Sequence, residues 1–304
     1  MNKISVLINS FNYGKYVGEA IGSVLAQDYP DFELIVVDDG STDESPEVIA
    51  SFHDERMTAV MKSNGGQLSA FNAGFLASKG DILCFLDADD MYQPGYLTAV
   101  AENFSTHPDC GCLLGRTEYF GARSGFDTIY PDGFLGCNPF SAATRHVWRG
   151  APTSAISLRR CVASLILPCR DNEAYWKTRA DDLLIWGADI VCANKYCFSL
   201  PTVKYRIHAE NSFFGSRMSS QDYIVRKEAA VRFCAWIMKK NNLKPARLIE
   251  IENGNGNLGF SGRFLSWLKA GKSRMFSFSE WIECGFILLC GLVQETDAKF
   301  RSPK

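Results

Sequence analysis

The segment Phe85 to Asp90, FLDADD, sets Asp87, Asp89 and Asp90 directly behind the apolar run Ile82 to Leu86. In an open α/β sheet ligands gather at the carboxyl ends of strands, so these carboxylates stand where a phosphate-bearing ligand and its divalent cation would bind. Asp87 and Asp89 are two residues apart, a spacing that in extended chain points both side chains one way, towards a shared ion. The competing reading is an acidic turn ahead of a helix that begins near Pro94. A second apolar run, Leu34 to Val37, ends in Asp38, Asp39, Gly40, Ser41, Thr42 and Asp43. Carboxylates buried together are costly without a cation or several hydrogen-bond donors, so two such steps at one sheet edge point to a site. Ser41 with Glu44, or Ser45 with Pro46, can cap a helix in the same stretch.

The elements that must position these groups follow from periodicity. Short apolar strands are expected at Ile4 to Ile8, Glu33 to Val37, Thr58 to Met61 and Ile82 to Leu86, and helices at Tyr16 to Ala26, Pro46 to Phe52 and Leu68 to Ala77. This alternation predicts a mainly parallel sheet with right-handed crossovers. Further strands are expected at Cys112 to Leu114 and Ala155 to Leu158, with a long loop over Gly121 to Ser141 that could shape an acceptor pocket. From about Gln221 the pattern turns helical, with the run at Asn253 to Asn257 separating two helices.

The 304 residues, 46% hydrophobic and 22% charged, can bury a sizeable core. A formal net charge of -2 gives no general attraction to nucleic acid, which is not an expected partner. Eleven cysteines without CxxC spacing, several in apolar stretches, suggest reduced, mostly buried thiols in a cytoplasmic protein, and no signal peptide is apparent. Cys284 to Val293 is too short an apolar run to span a bilayer of about 30 Å. Upstream, Trp267, Lys269, Lys272, Arg274, Phe276, Phe278 and Trp281 mix aromatic and basic residues, a pattern compatible with peripheral attachment to a membrane surface.

Three linked stretches, SVLINSFNYGKYVGEAIGSVLAQDYPDFELIVVDDGSTDES, NGGQLSAFNAGF and GDILCFLDADD, together resemble family 2 glycosyltransferases of the GT-A fold over residues 3 to 105. RADDLLIW, Arg179 to Trp186, is similar to the family's acidic motif and its register places Asp182 as the catalytic base. YRIHAENS, Tyr205 to Ser212, resembles a later element that brings His208 towards the metal and diphosphate. The resemblance implies a Rossmann-like three-layer α/β/α catalytic domain over 1–215 and a C-terminal helical extension over 216–304.

It also implies an inverting transfer from a nucleotide-sugar donor, expected to be a UDP-sugar, to a hydroxyl of a glycan or lipid-linked sugar acceptor in cell-surface glycan assembly. Asp89 would bind Mn²⁺ or Mg²⁺, favoured over zinc by hard oxygen ligands, with His208 near the ion and Asp87 on ribose or metal. Asp38 would accept from the base, with Asn9, Ser10 and Phe11 lining its pocket; Asp39, Asn64, Gly66, Gln67, Asn72 and Ala88 complete the donor-binding set. The turn Asn64 to Gln67 either only starts a helix or also lets backbone approach the nucleotide. Two departures stand out: Phe71 precedes Asn72 where many members carry Arg, and Asn9 and Ser10 replace the usual Pro-Thr. A phosphatase with Asp-x-Asp on its first strand, a metal-dependent nucleotidyltransferase and a non-catalytic nucleotide-sugar binder are the rival readings.

Overall fold

The computed structural model describes residues 2–127, 130–208, 219–255, 260–271 and 276–301, with side chains of residues 255, 260 and 290 onward excepted. Its first third alternates strand and helix: β1 (Ile4–Ser10), α1 (Gly14–Leu25), β2 (Phe32–Asp38), α2 (Ser45–Ala50), β3 (Met57–Met61), α3 (Gln67–Ala77) and β4 (Ile82–Asp87). Strands β1, β2 and β4 read as near-continuous Ile, Val, Leu and Phe because helices cover both of their faces. Helix α1 turns Val17, Ala20, Ile21 and Val24 inward at helical spacing.

Next come β5 (Met91–Tyr92), α4 (Tyr96–Thr106), β6 (Cys110–Gly121), β7 (Gly125–Phe126), β8 (Gly133–Gly136) and α5 (Pro139–Arg145). They are followed by β9 (Ile156–Arg159), α6 (Arg160–Ile166), α7 (Asp181–Ile190) and β10 (Asn194–Ile207). The sheet runs β3-β2-β1-β4-β9-β6-β10-β5, with β7 on β6 and β8 on β10. The pairs β3-β2, β2-β1, β1-β4 and β6-β10 are parallel, while β9 lies antiparallel between β4 and β6. The sheet is therefore mainly parallel through its first half, and the carboxyl ends of β1, β2 and β4 share one edge.

Helices α8 (Ser220–Lys240), α9 (Pro245–Asn255), α10 (Phe260–Ala270) and α11 (Phe278–Arg301) form the C-terminal part. Asn253, Gly254 and Asn255 continue α9 where a break between helices was expected; Asn257 lies outside the described residues. The expected loop Gly121 to Ser141 contains β7, β8 and the start of α5, because backbone groups that run beside β6 and β10 are satisfied by pairing with them. The ten cysteines with described side chains form no disulfide. No helix among the described residues is long and apolar enough to cross a membrane.

Candidate active site

Strand register brings the first polar groups together. Asn9 sits opposite Asp87 across β1 and β4, and its Nδ2 donates to Asp87 Oδ1 at 2.8 Å. Ser10 sits opposite Asp38 across β1 and β2, both almost fully buried. Asp38 Oδ2 accepts from the Ser41 amide at 3.0 Å, but Asp38 Oδ1, Ser10 Oγ and Asn9 Oδ1 are buried with no partner among the described residues. Three unsatisfied polar atoms at adjoining strand ends are costly in a folded chain and mark a place prepared for a polar ligand.

Asp39 has a different task from its neighbour. Its carboxylate accepts from the amides of Gly65 at 3.0 Å and Gly66 at 2.6 Å, and pairs with Lys62 Nζ at 2.5 Å, fixing the turn that leads into α3. Gly66 has φ +88°, and a Cβ there would lie 2.4 Å from Lys177 Cα, so only glycine permits this approach. From the first turn of α3, Gln67 Nε2 donates to Asp87 Oδ1 at 3.2 Å, while its Oε1 accepts from the Ala180 amide at 2.8 Å. One side chain thus joins the β4 carboxylate to the start of α7.

The acidic turn is not extended, as the two-residue spacing suggested. Asp90 N donates to Asp87 O at 3.1 Å, closing a tight turn at Ala88 and Asp89. Asp87, Ala88 and Asp89 still line the same cleft. Asp90 turns inward, accepting from Ser154 Oγ at 2.5 Å and from the Arg206 amide at 2.8 Å. Burial, followed by the negative charge of Asp89, pushes the Asp87 carboxyl up to about 6; the same two causes, joined by the Asp87 charge, push Asp90 well above the usual carboxylate range.

His208 Nε2 meets Asp89 Oδ2 at 2.9 Å, and its ring packs against Tyr16 at 4.9 Å between centroids. Asn211 and Ser212 of the same motif lie outside the described residues. Among the described residues no three His, Cys, Asp or Glu side chains converge as a complete metal cage. A magnesium-like ion does not need one: one or two carboxylates suffice where substrate phosphates and water supply the rest. The crowded acids fit that pattern, since a cation would offset both the burial and the Asp89 repulsion that raise Asp87.

The second acidic pair opens α7. Asp181 lines the cleft, whereas Asp182, expected from the motif register to serve as base, is 0% exposed. Asp182 Oδ2 is bonded to Arg226 Nη2 of α8 and lies 3.7 Å from Arg179 Nε, while its Oδ1 has no partner among the described residues. Burial, then the charges of Asp182 and Asp87, push the Asp181 carboxyl up to about 7. Asn72 also departs from its expected donor-binding place: its Nδ2 donates to Glu173 Oε1 at 2.7 Å and its Oδ1 accepts from the Cys169 amide at 2.8 Å, bracing α3 against the segment before α7.

Asn9, Ser10, Phe11, Asp39, Asn64, Gly66, Gln67, Asp87, Ala88 and Asp89 line one cleft of about 1090 Å³. That volume stands at the upper end of the range of about 300–1,000 Å³ usual for small-molecule sites. Asp38 sits just beneath the lining, beside Ser10. The cleft is also lined by Trp148, Thr153, Lys177 and Tyr205; of these only Tyr205 stood within a motif legible in the sequence. Trp148, Thr153 and Lys177 carried no sequence signal, because the chain folds them in from separate connections.

A parallel half-sheet with its acids on one edge, facing a large cleft, is an arrangement suited to a phosphate-bearing ligand. The model of "Glycosyl transferase family 2" matches residues 5–136. A glycosyltransferase from Nostoc, itself uncharacterized, is 31% identical over 235 residues, covering 75% of this chain and 72% of the relative. The glycosyltransferase GlyG of Streptococcus pneumoniae is 31% identical over 133 residues, 43% of this chain and 44% of that protein. TarS residues 1–349 from S. aureus, solved in complex with UDP-GlcNAc, superimposes with a TM-score of 0.61 at 20% identity, covering 97% of this chain and 83% of that one. The chain belongs to the family 2 glycosyltransferases and has the GT-A fold.

Proposed function

We propose that this glycosyltransferase moves a hexose from a UDP-sugar to a hydroxyl of a glycan or lipid-linked acceptor with inversion at the anomeric carbon. The observation that carries the reading is the unpartnered trio Asp38 Oδ1, Ser10 Oγ and Asn9 Oδ1. Asp38 Oδ1 offers an acceptor for a ring N–H of the nucleobase, and Ser10 Oγ can donate or accept beside it. Phe11, 44% exposed at the rim, supplies a surface on which the base can stack. TarS was solved with UDP-GlcNAc, which favours uracil over guanine as the base.

A nucleoside diphosphate is a good leaving group, so the site must hold it, balance its growing charge and take one proton from the acceptor. Asp89 and His208 would hold a Mn²⁺ or Mg²⁺ ion, which when bound neutralises charge on the departing diphosphate. Asp87, held by Asn9 and Gln67, is fixed to orient the donor's ribose and sugar. The acceptor oxygen forms its bond to the anomeric carbon from the face opposite the diphosphate. As it does so the carbon–oxygen bond to the phosphate breaks, and that electron pair leaves with the diphosphate.

The hydroxyl proton passes to the Asp181–Asp182 pair through Asp181, its cleft-facing member, whose pKa of about 7 suits a base working close to neutrality. Trp148 and Tyr205, which line the same cleft as Asp181, would offer ring faces to an acceptor sugar. A radiolabelled UDP-sugar assay with candidate glycan acceptors tests the reading. Product that requires Asp181 and carries the inverted linkage supports it; nucleotide binding with no transfer under any donor and acceptor pairing contradicts it.

A further inference from the structure

Helix α8 belongs to the C-terminal part of the chain, yet one of its side chains reaches the acidic pair. Arg226 lies three, four and seven residues before Ala229, Ala230 and Phe233, the buried stripe of α8, so it projects from the face that packs on the catalytic body. The helix is anchored along its length: Ser219 Oγ caps its start by accepting from the Asp222 amide at 3.1 Å. Further along, Trp236 Nε1 donates to Asp171 at 3.1 Å and Lys240 Nζ donates to Ser164 O at 3.2 Å. Arg226 is thereby held against Asp182 rather than free to swing.

We propose that Arg226 is a positioning residue for the transfer step, holding Asp182 charged and in place behind Asp181 so that Asp181 faces the acceptor as an effective base. The proposal rests on the reading of the acidic pair given above. A fully buried carboxylate with one unpartnered oxygen stays ionised only while a cation compensates it. Arg179 contributes from 3.7 Å, and Arg226 makes the direct bond. The charges acting on the pair are Arg179 from the turn before α7, Arg226 from α8 and Asp87 from β4. Without the Arg226 charge, burial drives a proton onto Asp182, and Asp181 then loses the negative neighbour that strengthens it as a base.

The test compares Arg226→Gln, Arg226→Lys and the exposed neighbour Lys227→Gln in the full chain, reading kcat, donor KM and the pH profile beside a melting curve. Arg226→Gln is expected to lower kcat by about 10-fold or more, a fraction of what general-base catalysis supplies. Donor KM should stay within about 2-fold, since only transition-state stabilisation is removed. The acid limb of the kcat profile should move to lower pH. Arg226→Lys should return most of the rate, and Lys227→Gln should change nothing. Wild-type kcat and an unmoved acid limb in Arg226→Gln would overturn the proposal, as would loss of rate accompanied by an equal rise in donor KM. If Arg226→Gln does not fold, the neutral Arg226→Met takes its place: an acid limb identical to wild type overturns the proposal, and one displaced to lower pH supports it. Wild-type turnover in both Asp181→Asn and Asp182→Asn would instead defeat the underlying reading of the base; dependence on Asp181 with indifference to Arg226 defeats this proposal alone.

Discussion

Asp181 pairs a function with a cost to the fold. Its folded-state pKa, about 7, lies above the ordinary carboxylate value of 3.8, so the folded chain binds more protons than the unfolded chain between those values. The stability this group contributes is therefore complete below about pH 4 and is lost as pH rises through about 7. Asp181→Asn should cut transfer by about 10²-fold or more and raise the melting temperature at pH 8 while leaving it nearly unchanged at pH 4. Paired kinetics and calorimetry at the two pH values check both halves. The strand-end acids Asp38, Asp87 and Asp89 were legible in sequence because each follows a buried apolar run. Which of Asp181 and Asp182 meets the cleft was not legible, since it depends on Arg226, 44 residues further on. Asn72 misled for the same reason: Glu173, 101 residues away, turns its amide aside.

At the scale of elements, the turn into α3 is the most constrained piece of the site. Gly66→Ala places a methyl against Lys177 backbone at a positive φ, and the strain at such positions is of order 1–3 kcal/mol. The variant should lose about that much stability by denaturant titration and bind nucleotide more weakly, because the Asp39-bound amides shift with the turn. The βαβ rhythm of β1 to β4 was readable, with each observed boundary within two residues of the periodic pattern. β10 was not foreseen: Pro201 interrupts its 14 residues, and its register against β6 slips between Phe198 and Val203. Non-local pairing holds that strand together, and neither feature leaves a clean alternation in the sequence.

Across the whole molecule, the C-terminal helices are joined to the catalytic body through buried polar contacts as well as apolar ones. Glu252 of α9 is 0% exposed and accepts from the Ser141 amide at 2.9 Å and from Ser141 Oγ at 2.5 Å, at the heart of α5. Glu252→Ala leaves the Ser141 amide buried and unmatched, with Ser141 Oγ left to Ser266 Oγ at 2.8 Å, a loss of about 1–3 kcal/mol. Differential scanning calorimetry should show one transition for wild type and an earlier, still single, transition for the variant; two separated transitions in wild type would contradict joint folding. Composition and helical periodicity revealed these helices, but not their docking, because Glu252, Ser141 and Ser266 meet only in the folded chain.

The central claim is that strand-end acids build a pocket for a nucleoside diphosphate. Isothermal titration of UDP, with and without Mn²⁺, into wild type, Asp38→Asn and Asp89→Asn tests it most directly. Metal-dependent binding by wild type is predicted, weaker by about 10-fold in Asp38→Asn through loss of a charged acceptor, with the metal dependence gone in Asp89→Asn. Absence of UDP binding to wild type, or binding indifferent to the ion and to both substitutions, would contradict the account.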